Sequence, residues 1–438
     1  VLVFLSTAMA CVPFLLTLRM AQVPPREGHR AFERDLRAPE AFLSSSKEHP
    51  IVVFSTDCKQ WQQWQSEVLA WSADRVGHTA PVVQILSGCA AEEREAISRQ
   101  LPLSASLRRH FAPESPRMKD GQPYKYMNKP AGLLHWLQHA EPPVAPDAVV
   151  ALLDPDMIFL KPLQLDFARK DATLQFSGTW TKVPPPATVT EGLPMAQHYG
   201  IGPHWLNFNR TRICGPDSPC TLGYAASTDA ARNSRQILEV NSLYSVGPPY
   251  VARKADFLRI AETWTKFVPG VYQEYPHLLA EMYAYSMASA HEQLPSFRIN
   301  NWMVSAVDKM LTSVEGWKPI DIVLENNPNM TCDASILDVA RTFGPENFPV
   351  VVHYCQKYFS NPVTFHKYAM KQALLTCDES VAVELPAADA FQREPLPIGN
   401  RGKVLRPVEH RRSTFMACFM AHALHAAQRD YRRRNCPA

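Results

Sequence analysis

From residue 51 onward the chain alternates short apolar runs with stretches of helical periodicity. Ile51-Val52-Val53-Phe54-Ser55-Thr56 is an apolar run closing on polar residues, which predicts a buried strand. Helical spacing follows from Trp61 to Trp71, and a second apolar run extends from Pro81 to Leu86. The rhythm returns as a helix from Ala131 to His139 and a strand from Ala148 to Leu153. Strand, helix, strand alternation predicts an α/β fold with a mostly parallel central sheet. Such sheets bind ligands at the carboxyl ends of their strands, so Ser55-Thr56 and Asp154-Pro155-Asp156 are expected to face one crevice.

The pattern weakens in the middle. Thr181 to Tyr244 is rich in Pro and aromatic residues with little periodicity, and reads as a long irregular insertion of a functional kind. Ser245-Val246-Gly247-Pro248-Pro249-Tyr250 reads as a rigid turn. Helices are expected from Ala255 to Val268 and from Pro276 to Ala290, and a strand from Pro349 to Tyr354 that ends near His353. Beyond Cys377 the chain turns Pro-rich and polar, and Arg411 to Arg434, basic at both ends around an apolar middle, reads as a surface helix. At the other end, Val1 to Leu18 carries no charge and is about long enough to span a bilayer. The expected organisation is a signal anchor at 1–19, a Pro-punctuated stem at 20–48, a catalytic domain at 49–378 and an extension at 379–438.

Composition narrows the partners. A formal charge of +3 with 20% charged residues gives no basic field for nucleic acid, which is set aside. Ten cysteines lack the paired spacing of a structural zinc site, so disulfides are expected. Cys214 and Cys220 form the best local pair, because they bracket a turn-forming Gly-Pro-Asp-Ser-Pro stretch, and at least one thiol should be left over. The sequons at Asn209 and Asn329 fit a lumenal, single-pass type II arrangement in the Golgi or endoplasmic reticulum membrane.

Candidate chemistry centres on Asp154 and Asp156. Two hard carboxylates at the end of an apolar strand suit Mn²⁺ or Mg²⁺, which would neutralise a nucleoside diphosphate as it leaves. His353 at another strand end would complete the site with an imidazole and favour Mn²⁺; a structural histidine is the alternative. Ahead of the Ala131 helix, Lys129 could bind a phosphate or be solvated, and Asn128 could hold a sugar hydroxyl or cap the helix. Glu281, on a mostly apolar helix with Tyr285 one turn on, either pairs with an arginine such as Arg298 or meets the acceptor or sugar near the anomeric carbon.

Five ordered motifs together resemble the peptide hydroxyproline O-arabinosyltransferases and their relatives, the peptidyl serine α-galactosyltransferases. They are Val53-Phe54-Ser55-Thr56-Asp57-Cys58 with Trp64-Gln65, Asn128-Lys129-Pro130 ahead of His135-Trp136-Leu137, Asp154-Pro155-Asp156-Met157-Ile158-Phe159, Glu281-Met282-Tyr283-Ala284-Tyr285, and His353-Tyr354. The resemblance implies a GT-A type, nucleotide-sugar-binding domain that retains anomeric configuration. It further implies that Asp154, Asp156 and His353 hold the metal and donor diphosphate. Ser55, Thr56, Asn128, Lys129 and Asp154 are the expected donor-binding residues, and Asp154, Asp156 and Glu281 the expected catalytic ones. The expected reaction moves arabinofuranose, or alternatively galactose, from UDP to hydroxyproline or serine in a Pro-rich peptide docked against the aromatic insertion. A glycan-binding or scaffold protein on an inactive transferase fold is the reading of another class.

Overall fold

The computed structural model describes residues 42–436, apart from 119, 170–173, 175–185, 226, 309–313, 347, 371–373, 379–382, 395 and 400–401. The segment read as a membrane anchor lies outside the described residues, as does most of the stem. Among the described residues no helix is long and apolar enough to cross a membrane.

The elements predicted in this part are present as β1 Ile51–Thr56, α1 Gln60–Arg75, β2 Val82–Ser87, α3 Asn128–His139 and β4 Val149–Leu153, joined by three that the sequence reading did not name, α2 Ala91–Arg99, β3 Leu107–Ala112 and β5 Met157–Phe159. Next come β6 Met195–His198, α4 Arg210–Cys214, α5 Pro219–Leu222, α6 Ala230–Leu243, β7 Val246–Arg253, α7 Lys254–Glu274, α8 Ala280–His291, β8 Phe297–Ile299 and β9 Met303–Val304. The chain closes with α9 Trp317–Asn326, α10 Val339–Phe343, β10 Val351–His353, β11 Lys357–Ser360, β12 Val363–His366 and α11 Pro407–Asn435.

Seven strands form the main sheet in the order β3-β2-β1-β4-β7-β6-β8. The β3-β2-β1-β4 half is parallel, β7 runs antiparallel to both its neighbours, and β6 and β8 are parallel to each other. The sheet is thus mixed and mostly parallel, as expected. Strand β1 shows why both faces are apolar. Ile51 and Val53 join the cluster containing Leu133 and Trp136 of α3, whereas Val52 and Phe54 join the one containing Leu69 and Ala73 of α1. Alternate side chains point to opposite faces of a strand, so one run of hydrophobic residues serves both layers.

Three expectations are corrected. The Ser245 to Tyr250 stretch is not a turn: from Val246 on it lies within β7, a central strand. Pro248 and Pro249 offer no N–H to the ladder, so they are passed over as a bulge: Ala196 faces Tyr250 while the next residue, Gln197, faces Gly247. The described part of the Thr181 to Tyr244 insertion is largely ordered, holding β6, α4, α5 and α6. Its Cys214–Cys220 disulfide forms as expected. The helix read as lying on the surface, α11, buries its middle, with Phe415, Met416, Cys418, Phe419, Met420 and Leu424 at most 1% exposed. It belongs to the same compact unit as the sheet, residues 41–438.

Boundaries shift for identifiable reasons. Packing begins at Leu43, inside the expected stem, where its N–H donates to Pro143 O and the side chain is buried. Helix α7 runs past Pro269 to Glu274, because Trp264, Phe267, Val268 and Val271 are buried along it and offset the lost hydrogen bond. The disulfides Cys58–Cys89, Cys332–Cys418 and Cys377–Cys436 leave Cys355 as the free thiol among the described residues. Cys332–Cys418 closes a loop of 86 residues and fastens α11 to the body. Cys418→Ser is therefore expected to lower unfolding stability by about 2–4 kcal/mol, read as a lower urea midpoint.

Candidate metal and donor site

The site forms where the chain leaves the main sheet. Strand β4 ends at Leu153, Asp154 to Asp156 make the turn, and β5 departs into a second, three-stranded sheet beside β10 and β9. The antiparallel register sets Met157 opposite His353, and the Tyr354 N–H donates to Asp156 O at 3.0 Å. His353 is therefore held against the acidic turn by pairing of two buried strands. One oxygen of Asp154, one of Asp156 and one ring nitrogen of His353 lie within 4.8 Å of one another. His353 Nε2 is 3.3 Å from Asp156 Oδ1 and 3.8 Å from Asp154 Oδ2.

Two ammonium groups balance the carboxylates. Lys129 Nζ lies 2.8 Å from Asp154 Oδ1 and 2.7 Å from Glu281 Oε1. Lys367, on the turn after β12, pairs with Asp156 Oδ2. Burial alone would push both lysines down, but Asp154 with Glu281 around the first and Asp156 beside the second hold them above the ordinary lysine range. Burial would likewise raise Asp156, yet His353 and Lys367 outweigh it and keep this carboxyl well below the usual range. For His353 burial disfavours the charged ring, while Cys355 and Asp156 raise its pKa well above normal.

A divalent cation fits this donor set. Two carboxylates and an imidazole suit Mn²⁺ or a borderline metal, and the carboxylates would otherwise depend wholly on protein cations for neutralisation.

The other expected site residues are placed as follows. Glu281 is 3% exposed and pairs with Lys129 rather than with Arg298, whose guanidinium donates to the Asn241 carbonyl and lies 3.0 Å from His198 Nε2. Glu281 Oε2 is buried without a partner. Lys129 is neither solvated nor free. Asn128 opens α3 without capping it, and its carbonyl accepts from Ser55 Oγ at 2.9 Å. Ser55 lies under that helix, where a Cβ on Gly132 would come within 3.3 Å of its hydroxyl. Thr56 is fully buried, accepting from Gln84 Nε2 at 3.1 Å. Ser55 thus braces the strand end against the helix, and Thr56 is engaged with Gln84.

No protein-family profile matches the chain. It is similar to a peptidyl serine alpha-galactosyltransferase of Arabidopsis thaliana, 25% identical over 245 residues covering 55% of this chain and 26% of that protein. A protein of the same name from Chlamydomonas reinhardtii is 31% identical over 112 residues, 25% of this chain and 14% of the relative. The chain therefore spans about a quarter or less of the length of these relatives. Both are named for the serine branch of the resemblance; the hydroxyproline arabinosyl branch gains no support from them. Among solved structures, the galactosyltransferase LgtC in complex with donor and acceptor sugar analogs aligns with 69% of this chain and 86% of its own, at 12% identity and a TM-score of 0.32. The bifunctional glycosyltransferase WbbM aligns with 70% of this chain and 46% of its own, at 10% identity and a TM-score of 0.30.

Residues that sequence reading did not find complete the site. Lys367 lies 211 positions from Asp156, on a short hairpin whose pattern carries no signal for a charge turned inward. Tyr199 sits just past β6, with its hydroxyl 3.4 Å from His353 Nδ1. Burial, then the neighbouring Cys355 and Asp154, push its phenol well above the normal range, so it stays neutral. Its place inside the unreadable insertion hid it.

Proposed function

We propose that the chain is a metal-dependent glycosyltransferase that moves galactose from a uridine diphosphate donor to a serine hydroxyl of a peptide. The observation that carries this reading is the convergence of Asp154, Asp156 and His353 at the end of β4, flanked by two lysines. The names of the two relatives support galactose and serine over arabinofuranose and hydroxyproline.

In this reading Asp154, Asp156 and His353 hold Mn²⁺, or Mg²⁺, and the bound ion supplies charge neutralisation to the departing diphosphate. The chain's own groups do the rest. Lys367 reaches Asp156 on a flexible stem and is the ammonium best able to turn to a phosphate oxygen. Lys129 is more deeply committed, because it bridges Asp154 and Glu281, and it keeps the Asp154 carboxylate oriented. Glu281, with one oxygen unpaired, is the acidic group beneath the reacting sugar. The acceptor peptide lies along the exposed His204 and half-buried Tyr275, whose rings pack with the buried Phe208 and Tyr283 at 5.3–6.0 Å between centroids; Tyr283 stands two residues beyond Glu281. Retention of anomeric configuration belongs to the same proposal.

Four disulfides and two exposed sequon asparagines support a lumenal, oxidising compartment, with the Golgi or endoplasmic reticulum membrane reached through residues 1–19. The direct test incubates the purified chain with UDP-galactose or UDP-arabinofuranose and with a serine or a hydroxyproline peptide. Galactosylated serine is expected, with activity lost in EDTA and restored by Mn²⁺. Arabinose on hydroxyproline alone would return the function to the other branch. Absence of Mn²⁺-dependent UDP binding would mark an inactive scaffold.

A further inference from the structure

Resting on the metal site proposed above, we propose that Tyr199 is a positioning residue that fixes the tautomer and orientation of His353. The imidazole stands between two surroundings. Its Nε2 faces Asp156 Oδ1 at 3.3 Å and Asp154 Oδ2 at 3.8 Å, and its Nδ1 faces the Tyr199 hydroxyl at 3.4 Å. A neutral imidazole presents a lone pair at only one nitrogen. For Nε2 to face the carboxylates as a ligand, Nδ1 must carry the proton and needs an acceptor. The Tyr199 oxygen is that acceptor, at the long end of hydrogen-bonding distance.

The surrounding structure holds Tyr199 in place with unusual care. Its N–H donates to Ser245 O at 3.1 Å, and its carbonyl accepts from Ser245 Oγ at 2.6 Å. Ser245 Oγ in turn accepts from the Gly202 N–H at 3.0 Å. The ring lies close against Gly247: a Cβ there would come 2.3 Å from Tyr199 Cδ2, 2.6 Å from Cγ and 2.8 Å from Met282 Cε. Glycine inside a strand weakens it and marks a close approach, and here the approaching group is the Tyr199 ring. The bulge at Pro248-Pro249 serves the same end, since it brings Gly247 into register with Gln197, two residues before the tyrosine. The serine, the glycine and the bulge thus share one product, a phenol fixed behind the histidine. Cys355 also faces this imidazole and is the rival acceptor.

The test measures Mn²⁺ affinity in the presence of UDP, together with the ¹⁵N NMR signature of the His353 tautomer in the metal-free protein at alkaline pH. Tyr199→Phe should weaken Mn²⁺ binding about 10–100-fold, the usual effect of removing such a partner, and should lower the population protonated at Nδ1. Gly247→Ala should do the same by displacing the ring, and Cys355→Ser should leave both readouts unchanged. If Gly247→Ala does not fold, Tyr199→Phe decides alone. Unchanged affinity and tautomer in Tyr199→Phe would overturn the inference, as would loss of both in Cys355→Ser only. A wild-type chain that binds no Mn²⁺ would refute the proposed function, and the tautomer measurement would still rule on Tyr199.

Discussion

Replacing Asp156 with Ala is expected to cut sugar transfer by at least about 10²–10³-fold while leaving the fold intact. Asp156 meets both His353 and Lys367, so its loss removes one carboxylate of the proposed metal site and releases the two groups arranged around it. The fold should survive because neither group need remain a buried, unpaired charge. Lys367 sits on a surface hairpin with a long stem that can return its ammonium to water. His353, whose pKa Cys355 and Asp156 raise against the burial that lowers it, loses one of these two supports and sheds its proton more readily. Circular dichroism and a urea midpoint near the parent's, alongside lost transfer and lost Mn²⁺ binding, are the expected results. Full transfer by the purified variant would remove the metal from the mechanism.

The second large effect falls on stability. Lys129 is the counter-charge shared by Asp154 and Glu281, and Lys129→Met would leave two carboxylates facing one another in a buried place. Removing one partner from such a cluster costs about 3–5 kcal/mol. The loss should depend on pH, in a direction set by the carboxyls. Burial already raises Glu281 above the ordinary glutamate range with Lys129 present, so its ionised form is the penalised one. Without the lysine that penalty deepens. The defect should grow as pH rises through the carboxylate range and shrink as pH falls and the acids protonate. Urea melts at about pH 5 and about pH 8 would show this, with Mn²⁺ partly rescuing the variant at the higher pH. An equal defect at both would mean that the lysine serves packing rather than charge.

Much of the candidate metal site was legible because it is built from strand ends. Val149 to Leu153 and Val350 to Val352 are apolar enough to be read as buried strands, and residues just past such runs must turn toward a crevice. Asp154, Asp156 and His353 emerged that way. Ser55 and Thr56 passed the same test, but Ser55 lies under α3 and bonds Asn128 O, while Thr56 on the opposite face accepts from Gln84, which also reaches Gln63 of α1. Strand β7 was hidden by its own chemistry, as Gly-Pro-Pro carries the composition of a turn and becomes a central strand only because a bulge absorbs the prolines. Glu281 and Lys129 were each singled out, but not as a pair, since 152 residues separate them and no periodicity connects a helix start to a distant helix start. The charge flanks of α11 suggested a surface helix; Arg412, which pairs with Asp321, shows that a buried helix can carry such residues when partners wait in the body.

The attachment of α11 also has a bearing on how the protein is made. Lys367 stands at the end of the β11-β12 hairpin, and that hairpin is held by α11: the Phe359 N–H donates to Ser413 Oγ at 2.6 Å. Cys418 and Cys436 then fasten the same helix to Cys332 and Cys377. A ribosome delivers the acidic turn more than two hundred residues before it delivers this helix. During synthesis the nascent chain therefore holds both carboxylates and Lys129, the partner of Asp154, early, and gains Lys367, the partner of Asp156, late. A chain interrupted before Pro407 would carry Asp154, Asp156 and His353 and still lack the support for Lys367, so the ammonium facing Asp156 is seated only once the helix has docked.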